Sequence, residues 1–233
     1  MAAVAVFAPV AIAVSMLSLA SGTSAGAATT ATKAGSPSSE PVSADLTPNV
    51  VTIGDSIMSG HGLSSESKAW PALLAYSGGV GTVTNLACSG AGFVQSGACG
   101  TAYDALVDRA VAAHPTLVII QSSDNDLGES AADIRQATEQ TVEHIRTALP
   151  DAEIVGFSTL WDKPGAVPAE VRQSSDDLRS AVAVVGGKFI DVGQPIAGTA
   201  GLLQSDSEHP TDAGQTVLAL AFAADLHRAG IPF

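Results

Sequence analysis

Residues 50–60 have the sequence VVTIGDSIMSG. The apolar, β-branched run from Val50 to Ile53 is typical of a buried strand, and Gly54 ends it. Ser56 follows two residues later, where a chain leaving a parallel strand presents a side chain to a cleft. Because ligands of open α/β sheets bind beyond the carboxyl ends of the strands, Ser56 is a candidate nucleophile. Gly-Asp-Ser is also common turn composition, so a nucleophile here requires a base, an orienting acid and an oxyanion site elsewhere in the chain.

From residue 49 onward, strand-like and helix-like segments alternate. Five strands separated by helices predict an α/β fold, in which a parallel sheet is covered on both faces and the crossovers are right-handed. The predicted strands begin at Val50 and otherwise cover 80–87, 116–121, 153–157 and 188–192. The predicted helices cover 68–76, 101–113, 130–149, 168–185 and 211–229.

The N-terminus has the composition of an export signal. Ala2 to Ala20 is a run of small and apolar residues, and residues 25–27 match the A-x-A pattern after which signal peptidase cuts. Residues 1–27 are therefore predicted to be a secretory signal peptide. No Lys or Arg precedes the apolar run, and an uncleaved membrane anchor is the alternative.

The segment after the predicted signal is rich in Ala, Thr, Ser and Pro. Residues 28–48 are accordingly predicted to be a linker, which leaves residues 49–233 as the folded domain. We expect a secreted protein, either free or associated with the cell wall, and no stable membrane insertion after signal cleavage.

Charge and cysteine content narrow the expected partners and compartment. Ten Lys and Arg against 23 Asp and Glu give a net charge of −13, whereas nucleic acids and anionic membranes bind basic patches. We therefore expect no nucleic-acid partner, and we expect a monomer. Cys88 and Cys99 are the only cysteines, and in an exported chain such a pair predicts a disulfide, with two free thiols as the alternative.

The connection between the last predicted strand and the last predicted helix, residues 193–210, is long and ends in the sequence DSEHP. An acid three residues before a histidine, on a turn, lets the carboxylate reach Nδ1 while Nε2 faces outward. Asp206 and His209 are therefore a candidate acid and base. Asp206 is preferred to Glu208 because the side chain adjacent to the histidine points elsewhere. As an isolated motif this is also compatible with a surface turn.

Two further residues follow predicted strands and are able to donate hydrogen bonds to a developing oxyanion. Gly90 follows the second strand and exposes its backbone N–H, and Asn125 follows the third strand and carries a side-chain amide. Together with Ser56 and the Asp206–His209 pair, they leave the carboxyl ends of different strands. This coincidence favours an enzyme site over a set of unrelated turns.

Several other residues are assigned no chemistry. Asp124, Asp126 and Glu129 lack the spacing of a calcium loop and are predicted to form a solvated turn. Trp161 follows the fourth strand and either lines the substrate site or packs in the core. His61, five residues after Ser56, either rims the pocket or is a satisfied loop histidine, and we expect the second. We expect no metal and no cofactor.

These segments resemble the sequence blocks of the SGNH (GDSL-type) hydrolase family. Residues 54–56 (GDS) resemble its nucleophile block, 85–90 (NLACSG) its glycine block, 123–126 (SDND) its G-x-N-D block and 206–210 (DSEHP) its last block, in the family's order. The glycine block particularly resembles those of secreted actinobacterial members. Two residues depart from the family's pattern, because glycine is usual in place of Ser123 and common in place of Ala87.

The resemblance implies a flavodoxin-like, three-layer α/β/α sandwich with a five-stranded parallel sheet. It also implies hydrolysis of an ester substrate through an acyl-enzyme, with Ser56 as nucleophile and Asp206 and His209 completing a triad. The oxyanion donors would be the backbone N–H groups of Ser56 and Gly90 and the side chain of Asn125. The alternatives are an acyltransferase or a carbohydrate O-deacetylase with the same triad, and a catalytically silent binding module.

Overall fold

The computed structural model describes residues 47–76 and 81–232. The predicted signal peptide, and the predicted linker up to residue 46, lie outside these residues, so both stay predictions. The strands are β1 (Asn49–Ile53), β2 (Thr82–Asn85), β3 (Leu117–Gln121), β4 (Glu153–Phe157) and β5 (Lys188–Ile190). The helices are α1 (Ser56–Ser59), α2 (Trp70–Tyr76), α3 (Asp104–Ala112), α4 (Ala131–Ala148), α5 (Ala169–Val184) and α6 (Asp212–Arg228), with a 3-10 turn at Glu66–Lys68.

The five strands form one sheet in the order β2-β1-β3-β4-β5, and every neighbouring pair is parallel. This is the flavodoxin-like strand order. From β1 the chain adds β2 on one side and then β3, β4 and β5 on the other, so the strand order reverses between β1 and β3. The predicted five-stranded parallel α/β fold is therefore confirmed. None of the helices within the described ranges has the length and apolar content to cross a membrane.

Strand β3 lies at the centre of the sheet and contributes to apolar layers on both of its faces. Leu117 and Ile119 pack in one buried cluster, and Val118 and Ile120 pack in the other. The alternation follows from the two-residue period of a strand, and burial of both faces explains why β3 is a continuous apolar run. The first cluster includes Trp70 of α2 and Phe222 of α6, whose rings meet edge to face with centroids 4.9 Å apart.

The second strand ends earlier than its sequence predicts. The prediction extends to Ala87, but β2 ends at Asn85, and residue 80 lies outside the described residues. The Asn85 side chain donates to the Met58 carbonyl (2.9 Å) and accepts from the Ala87 backbone N–H (3.1 Å). The chain nevertheless stays beside β1, because the backbone N–H groups of Leu86 and Cys88 donate to the Thr52 and Gly54 carbonyls, each at 2.9 Å.

Candidate active site

Ser56 begins a one-turn helix at the carboxyl end of β1. Asp55 is the N-cap of α1, because its Oδ1 accepts the Ile57 backbone N–H at 3.0 Å, and Gly60 ends the helix with a φ of 80°. The sequence did not predict this helix. It places Ser56 at the first helical position, where a backbone N–H has no acceptor within the helix. Within the described residues, this N–H donates no hydrogen bond.

His209 lies against Ser56, although 153 positions separate the two residues. Ser56 Oγ is 3.0 Å from His209 Nε2, and His209 Nδ1 is 2.9 Å from Asp206 Oδ2. The other oxygen of Asp206 accepts the backbone N–H groups of Glu208 and His209, each at 3.0 Å. The structure thus brings together the three residues that the sequence proposed as nucleophile, base and orienting acid.

The ionisation of Asp206 determines which ring nitrogen of His209 carries a proton. The backbone hydrogen bond from Glu208 and the side-chain bond from His209 lower the pKa of Asp206 from 3.8 to about 2. At neutral pH the carboxylate is therefore ionised and accepts a proton-bearing Nδ1. In a neutral imidazole, this leaves the lone pair of Nε2 facing Ser56.

Gly90 lies in the turn that follows β2, close to the disulfide. This turn, residues 88–91, is called the glycine turn below, and the Ala91 backbone N–H closes it by donating to the Cys88 carbonyl at 3.0 Å. The φ of Gly90 is 79°, in the left-handed region that favours glycine. Its N–H donates to no acceptor among the residues that the structure describes. The turn is held from both sides, because the Ala98 backbone N–H donates to the Ser89 carbonyl at 2.7 Å and Ser89 Oγ contacts Ser59 Oγ at 2.8 Å.

Asn125 follows β3 and faces the same turn. Its Nδ2 donates to the Ala91 carbonyl at 3.0 Å and to Ser123 Oγ at 2.9 Å. Since Ala91 is adjacent to Gly90, the amide of Asn125 lies beside the glycine turn. The structure therefore gathers all the predicted oxyanion donors at the carboxyl edge of β1, β2 and β3.

The predicted pairing of Cys88 and Cys99 is confirmed, because the two sulfurs form a disulfide in the structure. Replacing both cysteines with serine is expected to lower the free energy of unfolding by about 2–3 kcal/mol, because the bridge restricts the unfolded chain between them. Urea unfolding of the parent and of the double variant measures this difference. Two free thiols in the mass spectrum of the purified parent would contradict the pairing itself.

Asp124, Asp126 and Glu129 lie in or beside a turn, as predicted, but the prediction that this turn is solvated is wrong for Asp126. Asp126 is only 1% exposed, and its carboxylate accepts three backbone N–H groups from Phe93, Val94 and Gln95 at 2.7–3.0 Å. This acid therefore holds the loop after the glycine turn against the loop that carries Asn125. Its spacing in the sequence gave no sign of this role, because its partners are backbone groups more than 30 residues away.

Lys163 joins two loops of the candidate site, and the sequence did not predict this role. Its Nζ lies 2.8 Å from Asp124 Oδ2 and 3.1 Å from Glu208 Oε1, so it links the loop of Asn125 to the loop of His209. It also lies over the ring of Trp161, 4.7 Å from the centroid. A lone lysine just after β4 was the available signal, but no motif distinguishes it from a surface lysine.

A cavity of about 420 Å³ lies beside the glycine turn, and its lining includes none of Ser56, Gly90, Asn125 or His209 themselves. The ring of His61 lines it and lies 4.5 Å, centroid to centroid, from the ring of His209. His61 lies in a turn outside the helices and strands, as predicted, and it also lines this cavity, which was the alternative prediction. Small and polar side chains dominate the lining, which comprises Ser59, Gly60, His61, Glu66, Ala87, Cys88, Ser89, Ala98 and Cys99.

A second cavity, of about 460 Å³, lies beyond the ends of β4 and β5. Its lining includes Arg172 and Asp191 but none of Ser56, Gly90 or His209. Unlike the cavity beside the glycine turn, it includes neither His61, whose ring lies against His209, nor Ser89, which precedes Gly90. No cluster of three or more His, Cys, Asp or Glu side chains suited to a metal ion occurs in the described part of the chain.

Comparison with protein families gives one match. The sequence model of the GDSL-like Lipase/Acylhydrolase family matches residues 52–217. This range includes Ser56, Gly90, Asn125 and the Asp206–His209 pair. No curated protein sequence matches the chain.

Solved structures of similar fold include three that cover most of this chain. TesA is 24% identical, with 77% of this chain and 98% of that chain covered and a TM-score of 0.61. The psychrotrophic esterase EstA from Pseudoalteromonas sp. is 19% identical, with 78% and 98% covered and a TM-score of 0.60. The salicylyl-acyltransferase SsfX3 from a tetracycline biosynthetic pathway is 20% identical, with 79% and 55% covered and a TM-score of 0.63. At these identities the likeness establishes the shared fold.

Proposed function

The chain belongs to the GDSL-like lipase/acylhydrolase family, and from this premise we propose that it is a serine esterase that hydrolyses carboxylic esters through an acyl-enzyme. The observation that carries the proposal is the alignment of three side chains. Ser56 Oγ lies 3.0 Å from His209 Nε2, and His209 Nδ1 lies 2.9 Å from Asp206. This is the geometry of a nucleophile, its general base and the acid that orients the base.

In the first half of the reaction, Ser56 Oγ attacks the ester carbonyl while His209 Nε2 takes the serine proton. Asp206, ionised at neutral pH, stabilises the resulting imidazolium. The carbonyl oxygen becomes an oxyanion, and in this proposal the N–H groups of Ser56 and Gly90 and the amide of Asn125 stabilise it. When the tetrahedral intermediate collapses, the carbon–oxygen bond to the alcohol breaks, and the alcohol leaves with the proton from His209.

In the second half, water replaces the alcohol. His209 takes a proton from water as its oxygen attacks the acyl carbon, and the second tetrahedral intermediate collapses to release the acid. Ser56 recovers its proton from His209, which restores the starting state. No step requires an oxidant, a reductant or a second substrate other than water.

The cavity beside the glycine turn favours a compact or polar ester. Its lining offers serine hydroxyls, the Glu66 carboxylate and the His61 ring, and its apolar part consists of small side chains. Such a lining buries little of a long hydrocarbon chain, whose binding rises with the apolar area removed from water. We therefore expect acetyl and butyryl esters to be better substrates than palmitoyl esters.

A panel of p-nitrophenyl esters from acetate to palmitate tests this proposal. We expect hydrolysis with the highest kcat/KM for the short esters, and labelling by a fluorophosphonate probe that peptide mass spectrometry locates at Ser56. Sugar acetates added to the panel distinguish a carbohydrate O-deacetylase. An alcohol added to the assay distinguishes an acyltransferase, because an acyltransferase would transfer the acyl group to the alcohol faster than to water.

Two results would reject the proposal. One is the absence of both turnover and probe labelling across the panel, which would favour a silent binding module. The other is labelling at a serine other than Ser56, which would leave an esterase but assign its nucleophile elsewhere. A preference for palmitate would refute only the assignment of the cavity.

A further inference from the structure

Ser123 lies at the end of β3 with 1% of its surface exposed, so it is not placed to touch a substrate. Its Oγ is 2.7 Å from Asp55 Oδ2, 2.9 Å from Asn125 Nδ2 and 3.1 Å from the Asn125 backbone nitrogen. The hydroxyl therefore links the cap of the helix that starts at Ser56 to the proposed oxyanion amide. Glycine, the usual residue in the block that this stretch resembles, has no atom to make these bonds.

The direction of each hydrogen bond follows from the chemistry of the partners. Burial raises the pKa of Asp55 from 3.8 to about 6, and the hydrogen bond from Ser123 offsets part of that rise. At pH 8 the carboxyl is therefore ionised and only accepts. The single hydrogen of Ser123 goes to Asp55, so its lone pairs accept the backbone N–H and one side-chain N–H of Asn125.

The Ala91 carbonyl accepts the second hydrogen of Asn125 Nδ2. It too only accepts, and it lies 3.0 Å from Asn125 Nδ2. If the amide turned over, its oxygen would face two acceptors, Ala91 O and Ser123 Oγ, and both bonds would be lost. The nitrogen of the amide is thereby held beside the glycine turn.

We infer that Ser123 is a positioning residue, whose buried hydroxyl holds the Asn125 amide in the orientation that stabilises the oxyanion. This inference rests on the proposed esterase function. The hydroxyl and the oxyanion both accept from Nδ2, but a charged acceptor forms hydrogen bonds roughly twice as strong as a neutral one. In the transition state the oxyanion therefore replaces Ser123 Oγ as the acceptor of the Nδ2 hydrogen. The bond from the Asn125 backbone N–H to Ser123 Oγ persists and keeps Asn125 in position.

Replacing Ser123 with alanine should lower kcat by about tenfold, the scale of one neutral hydrogen bond, and leave KM within about twofold. The ester hydrolysis is measured at pH 8. Ser122→Ala is the matched control. Ser122 is equally buried and its Oγ contacts Ser174 Oγ at 2.7 Å, away from Asn125, so its loss should lower the melting temperature without lowering kcat.

A double-mutant cycle separates positioning from general destabilisation. If Ser123 acts through Asn125, Ser123→Ala in an Asn125→Ala background should cause no further loss of kcat. Three outcomes would overturn the role of Ser123: a kcat of Ser123→Ala within twofold of the parent or above it, an equal loss in Ser122→Ala, or an undiminished loss in the Asn125→Ala background. A parent without esterase activity would instead reject the proposed function, and the role of Ser123 with it.

Discussion

Ser56→Ala is expected to lower ester hydrolysis by roughly 10⁴-fold or more, since it removes the atom that forms the acyl-enzyme. The variant should fold like the parent, because the deleted hydroxyl makes a single hydrogen bond within the described residues, to His209 Nε2. Losing such a contact changes the free energy of unfolding by about 1 kcal/mol. Initial rates with a short p-nitrophenyl ester measure the effect, and circular dichroism checks the fold.

Labelling by a fluorophosphonate supplies an independent measurement of the same change. The parent should be labelled and Ser56→Ala should not. Ser180→Ala is a suitable control, because Ser180 lies exposed on α5 and its hydroxyl donates to the Asp176 carbonyl of the same helix at 2.9 Å. That variant should keep both its activity and its labelling. Turnover retained by a folded Ser56→Ala protein would show that Ser56 is not the nucleophile.

Asn125→Ala is expected to lower kcat by roughly 10²–10³-fold, the scale of one lost oxyanion donor. The loss should appear in kcat rather than in KM, because the amide bonds the substrate oxygen mainly as negative charge develops. Steady-state kinetics on the best ester of the panel separate the two constants. The variant should still react with a fluorophosphonate, only more slowly, because Ser56 and His209 remain.

Asn125→Asp tests the electrostatic part of this argument. A carboxylate at this position would repel the oxyanion and would also place an acceptor against the Ala91 carbonyl, which now accepts from Nδ2 at 3.0 Å. Its kcat should therefore be no higher than that of Asn125→Ala. If Asn125→Ala kept a kcat within a few-fold of the parent, Asn125 would no longer belong to the oxyanion site.

The sequence alone was enough to predict the sheet and the positions of the site residues along it. The apolar run of β3 and the alternation of strands with helices predict a parallel sheet, and a parallel sheet brings the carboxyl ends of its strands to one edge. The Asp206–His209 contact was predictable for another reason. Its partners are three residues apart, so a local turn suffices to join them.

Only the tertiary structure revealed how the site is held together. The Ser123–Asp55 bond joins residues 68 positions apart, Asp126 binds backbone groups more than 30 positions away, and Lys163 bridges two loops. Whether an acid on a loop is solvated or buried depends on which donors another loop brings within about 3 Å. Periodicity and spacing describe the direction of a side chain along its own segment. They carry no information about the distances between loops, and those distances decide the hydrogen bonds around Asn125.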